Sequence, residues 1–188
     1  GQVNYAEFQI SVPPGHKAGQ IEWPRSAPDP ATSFATVQQR ALDRVTFVRS
    51  VAQRSRAKAD VGVFVHGFNY NFQESLFRLA QMAADADIDG VPILFAWPSE
   101  AKVTGYIADK DSVTYSRDAL ADLLTTLAQQ RSSGKITVFA HSMGGWLTME
   151  AVRQLRLTGR GSVLARLDVI LAAPDIDVDV FRAQMNVI

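Results

Sequence analysis

Ile136-Thr137-Val138-Phe139-Ala140-His141-Ser142-Met143-Gly144-Gly145-Trp146 is the stretch on which the reading of the fold turns. Residues 136 to 140 form a short run of β-formers, of the length and continuity expected of a strand buried on both faces. Trp146, Met149 and Val152 follow at helical spacing, so a helix begins almost where the strand stops. A chain that passes from strand to helix in so few residues brings the two backbones close together. The positions two before and two after Ser142 are Ala140 and Gly144, small enough for that approach. The serine is then either an ordinary N-cap or a hydroxyl held out by a strained turn at the end of the strand.

Outward from this turn the same alternation repeats. Val61, Val63, Phe64 and Val65 form an apolar run closed by His66 and Gly67, and Phe72, Leu76, Leu79, Ala80 and Ala83 mark the helix after it. Val91 to Trp97 is the next strand, ended by Pro98. Leu120, Leu123, Leu124 and Leu127 lie on one face of a further helix. Leu167 to Ala173 reads as another buried strand ended by Pro174, and Val178 to Met185 as the start of one more helix. Continuous apolar strands separated by amphipathic helices predict a three-layer α/β fold, a mostly parallel sheet with helices on both faces. Before this block, residues 3 to 12 predict a leading strand and residues 13 to 30 an extended, proline-rich loop. Residues 36 to 58 predict a helix, with room for a strand near Thr46 to Val48. No repeat or linker divides residues 1–188, which are expected to form one domain.

The 188 residues hold 19 basic and 19 acidic side chains, so no net field draws nucleic acid, and none is expected as a partner. Cysteine is absent, which removes thiolate chemistry and cysteine-ligated zinc. Three histidines at scattered positions show no ligand spacing, so no metal is expected. Asp85, Asp87, Asp89 and Gly90 imitate the opening of a calcium loop, but the closing position is Ala96, and a polar helix end is the better reading. Arg49, Arg54, Arg56 and Lys58 read as a solvated helix face. No apolar run approaches the roughly 20 residues that cross a bilayer, so the chain is expected to be soluble, without indicating a compartment.

The turn at Ala140-His141-Ser142-Met143-Gly144 resembles the G-x-S-x-G nucleophile elbow of α/β-hydrolases, with alanine in place of the first glycine. His66-Gly67-Phe68, after the first strong strand, resembles an HG-type oxyanion loop, although the pair could simply close the strand. With Pro13-Pro14-Gly15-His16-Lys17, Glu22-Trp23-Pro24, Phe95-Ala96-Trp97-Pro98-Ser99 and Ala172-Ala173-Pro174-Asp175, these segments resemble one bacterial family. It is the α/β-hydrolase family catalogued as domain of unknown function 900, grouped with esterases and lipases.

The resemblance implies a serine hydrolase for small carboxylic esters, needing no cofactor. Ser142 would be the nucleophile and the amides of Phe68 and Met143 the oxyanion donors. Thioesters and amides fit the same chemistry. The superfamily order is serine, acid, histidine, yet no histidine follows His141. The base is therefore expected outside these residues, as are two further strands, and the 188 residues alone are expected to be nearly inactive. Asp175 is the candidate acid, against helix capping or a solvated turn shared with Asp177 and Asp179. His16, His66 and His141 are expected to serve local hydrogen bonding. The edge of strand 167–173 is expected to be covered by a second chain or a missing C-terminal segment. The alternative is a non-catalytic binding or interaction domain that keeps the hydrolase fold.

Overall fold

A computed structural model describes residues 3–55, 60–87, 90–100, 102–130 and 134–188. Asp89, Arg56 and Lys58, which entered the calcium-loop and basic-face readings, lie outside the described residues. The chain opens with an antiparallel pair, β1 (Tyr5–Ser11) and β2 (Ala35–Leu42), joined by the proline-rich loop, with a register shift between Gln9 and Ile10. The helix expected over 36–58 is thus a strand followed by a shorter helix, α1 (Arg44–Arg54), and Thr46 to Val48 are helical. Asp43 draws the boundary: its side chain accepts the Thr46 amide proton at 2.6 Å and caps α1, while Thr36 and Val37 favour the extended pairing with β1.

The remaining elements alternate: β3 (Val61–Val65), α2 (Phe72–Asp85), β4 (Val91–Phe95), α3 (Tyr106–Ala128), β5 (Ile136–His141), α4 (Met143–Leu157), α5 (Gly161–Leu164), β6 (Leu167–Ala172) and α6 (Val178–Met185). The second sheet has the order β4-β3-β5-β6 and is parallel throughout. Pro92 is tolerated because β4 is an edge strand, where a missing N–H costs no ladder bond on the outer side. Two consecutive strands part from β3 to opposite sides, so the crevice between β3 and β5 is a topological switch point, the usual ligand position in open α/β sheets.

Alternation along the strands sends Val61, Val63, Val65, Ile136, Val138 and Ala140 into one core with Leu120, Leu124 and Leu127 of α3 and Leu147, Ala151 and Leu155 of α4. Each fully buried leucine there contributes about 2 kcal/mol of transfer free energy. On the other face Phe64 and Phe139 stand side by side, ring centroids 6.1 Å apart, beside Met82 of α2. β6 is less buried than its apolar sequence predicts: Val169 is 37% and Ile170 49% exposed. It pairs with β5 alone among the described residues, and α4 and α6 cover little of it. No described helix is long and apolar enough to cross a membrane.

Candidate active site

Ser142 sits between β5 and α4 with φ 52° and ψ −122°, a backbone conformation that L-residues avoid. Three features hold it there. Its amide donates to the Ala172 carbonyl at 3.0 Å, and its carbonyl accepts from the amides of Gly145 at 2.9 Å and Asp175 at 3.0 Å. The glycines after it are forced by proximity: a Cβ at Gly144 would lie 2.4 Å from the Val65 carbonyl oxygen, and one at Gly145 2.9 Å from Pro174 Cβ. Ala140 is fully buried, so its methyl is accommodated where a glycine was the expectation. Two other non-glycine residues with positive φ, Asn69 at 62° and Ala173 at 44°, flank the turn on the neighbouring loops. Strain of roughly 1–3 kcal/mol per residue persists only where packing over-determines it, and it gathers here at the ends of the parallel strands.

The loop after β3 lies against this turn. A Cβ on Gly67 would come within 3.0 Å of Ser142 Cβ, so the loop and the serine are in contact only because residue 67 is glycine. The amides of Phe68 and of Met143, the first residue of α4, make no hydrogen bond among the described residues. Both stand on the two loops that meet at Ser142.

His66 fixes this loop. Its ring is stacked on Trp97, centroids 4.9 Å apart and planes 7° apart. Nε2 accepts the Trp97 amide proton at 3.2 Å, Nδ1 donates to the Gly67 carbonyl at 2.9 Å, and the Trp97 indole donates to the His66 carbonyl at 2.8 Å. Burial holds its pKa below the ordinary histidine value, so it is a neutral imidazole with both nitrogens engaged. His16 is likewise committed: its nitrogens bond Glu22 and Asp85, each at 2.8 Å, and pin the proline-rich loop to the end of α2. His141 Nδ1 is turned toward Gly67, is buried, and has no hydrogen bond among the described residues. Burial, and then the Arg78 charge, lower its pKa.

Asp175 is exposed, and its carboxylate accepts the Tyr106 hydroxyl proton at 2.6 Å. That bond raises the Tyr106 pKa, with burial adding to it. The helix-capping role weighed for Asp175 belongs to Asp177, which accepts from the amides of Asp179 and Val180. Tyr106 also meets Phe68 edge-on at 5.3 Å, so the first residue of α3 bridges the loops after β3 and β6. Sequence reasoning missed Tyr106 because the helical period is legible only from Leu120 onward. It also missed Asp109, buried one turn into α3, which accepts from Ser99 and the Glu100 amide and holds the loop after β4.

A segment of 61 residues, 32% of this chain, is 39% identical to the uncharacterized protein alr1448 of Nostoc sp. (strain PCC 7120) and covers 16% of that protein's length. No solved structure matches. The family model of an alpha/beta hydrolase of unknown function, DUF900, matches residues 43–188, which include every strand of the parallel sheet and the Ser142 turn, and the chain belongs to that family.

Proposed function

We propose that the chain carries the nucleophile and oxyanion site of a serine hydrolase acting on carboxylic esters. The observation that supports this reading best is the positive φ of Ser142 between a buried strand and a helix that begins at the next residue. In the reaction the base takes the Ser142 proton as Oγ attacks the ester carbonyl carbon, and it passes that proton to the departing alcohol; water then cleaves the acyl-enzyme to the carboxylic acid and free Ser142. The Phe68 and Met143 amides, without a hydrogen bond among the described residues, stabilise the oxygen as it gains charge; one such donor contributes a factor of roughly 10²–10³ in turnover. Asp175 is the proposed acid, since its backbone adjoins Ser142 and its second carboxylate oxygen, which has no partner among the described residues, can accept from an imidazole.

The base is proposed to be a histidine outside these 188 residues. His66 and His16 have both ring nitrogens engaged, and no hydrogen bond joins His141 to Ser142 among the described residues. The same polypeptide, or a second chain, is proposed to cover the free edge of β6. Hydrolysis of p-nitrophenyl butyrate tests this reading. A parent polypeptide that supplies a histidine should exceed the 188-residue chain by about 10⁴–10⁶ in turnover. Ser142→Ala in that parent should abolish the difference. Equal, negligible rates would favour the second reading, a binding domain on a hydrolase fold, which the commitment of His16 and His66 to structural bonds supports.

A further inference from the structure

The face of the sheet opposite α4 holds a recess of about 230 Å³ beneath the elbow. It is lined by the apolar Phe64, Phe139 and Met82 and by Tyr70, Arg78 and His141. The three polar side chains spend little on protein: Arg78 Nη1 donates to Gln81 Oε1 at 2.8 Å, and neither the Tyr70 hydroxyl nor the His141 ring has a hydrogen bond among the described residues. Arg78 is partly buried and has no carboxylate within ion-pair distance among the described residues. Its neighbour one turn back, Glu74, is occupied by the capping box of α2, where it accepts the Asn71 amide proton.

A guanidinium is five donors in a plane, and a half-desolvated one without a counter-charge favours an anion strongly. We propose that this recess binds a small monocarboxylate with an apolar body: the carboxylate pairs with Arg78 and accepts the Tyr70 hydroxyl proton, and the body lies on Phe64 and Phe139. Tyr70 and Arg78 also wall a second recess of about 180 Å³, but Glu74 lines that one and would repel the anion. The larger recess is therefore the carboxylate side of the wall. The inference does not depend on chemistry at Ser142, and its test is a binding measurement that an inactive protein passes equally well.

His141 is the reporter, because it lines the recess while His16 and His66 do not. Phenylacetate is titrated into the purified protein and followed through the histidine ring resonances by NMR. Saturable movement of His141 alone is expected, together with a rise in its pKa, since an arriving anion favours imidazolium. The neutral analogue 2-phenylethanol, with the same body, should bind at least about tenfold more weakly, and Arg78→Gln should weaken phenylacetate by about tenfold. Tyr70→Phe, which leaves the Arg78 contact to Gln81 in place, should weaken it by about threefold and decides the matter if Arg78→Gln does not fold. Equal affinity for the alcohol, unchanged binding in both variants, or no saturable shift at His141 would overturn the proposal.

Discussion

On one face of the parallel sheet Val138, Ala140, Leu147 and Leu155 are sealed from solvent beneath α3 and α4, whereas on the other Phe139 is half-buried and Ile170 is 49% exposed. The sealed face is what holds the Ser142 turn in a conformation its backbone resists. α4 is driven against the sheet, Gly144 meets the β3 backbone, and the strain at residue 142 has nowhere to relax. The open face leaves polar groups and aromatic rings with unfilled partners, as at Arg78 and Tyr70. One sheet therefore fixes the strained turn proposed as a nucleophile site on one side and leaves the recess proposed for a carboxylate on the other.

Truncations should separate the faces most sharply. Leu147→Ala, at a fully buried position on the inner face of α4, should cost about 3 kcal/mol by denaturant unfolding, and Ile170→Ala on the open face less than about 1 kcal/mol. Comparable losses would mean that Ile170 is covered in solution. Added methyls come next. Gly144→Ala meets backbone oxygens at 2.4 and 2.5 Å, and about 2–3 kcal/mol should be lost. Gly62→Ala meets nothing within 4 Å and should be neutral or stabilising by about 0.5 kcal/mol. Releasing the strain is a smaller effect of opposite sign: Ser142→Gly should raise stability by about 1 kcal/mol, read as a higher Tm.

The smallest effect concerns the loop clamp far from both faces. Hydrogen bonds to Glu22 and Asp85 raise the His16 pKa above 6.5, so the clamp's contribution is fully present below pH 6.5 and fades as pH rises through the folded value. The His16 bond lowers the Glu22 pKa below 4.5, and the Gly19 amide and His16 lower that of Asp85 below 3.8. Their contribution holds above those values and fades in acid. The clamp's own contribution, read as the Tm difference between the unaltered chain and His16→Gln, should therefore be largest between pH 4.5 and 6.5 and shrink on the alkaline side. A difference that does not shrink there would mean that His16 is not protonated in the clamp.

The parallel sheet was legible because its two central strands, β3 and β5, are largely buried: Val61 to Val65 and Ile136 to Ala140 leave short, nearly continuous apolar runs. β2 was not legible, since most of it is exposed on both sides and its Gln38, Gln39 and Arg40 carry no period. At the site, Ser142 and Gly144 could be read because strand, turn and helix follow one another in sequence and only small residues suit such a turn, although the backbone that crowds Gly144 is that of Val65 and His66. Tyr106 and Arg78 could not. Their importance comes from meeting Asp175 and His141, 69 and 63 positions away, and a helix surface gives no local sign of such a meeting.

The account rests on Ser142 being a nucleophile and not a cap. Intact mass before and after exposure to a fluorophosphonate, followed by peptide mapping and with Ser142→Ala alongside, tests this most directly in the parent polypeptide. One adduct on the peptide containing Ser142, absent from the alanine variant, is the predicted result. No adduct, or an equal adduct on the variant, would contradict it and leave the strained turn without a chemical role.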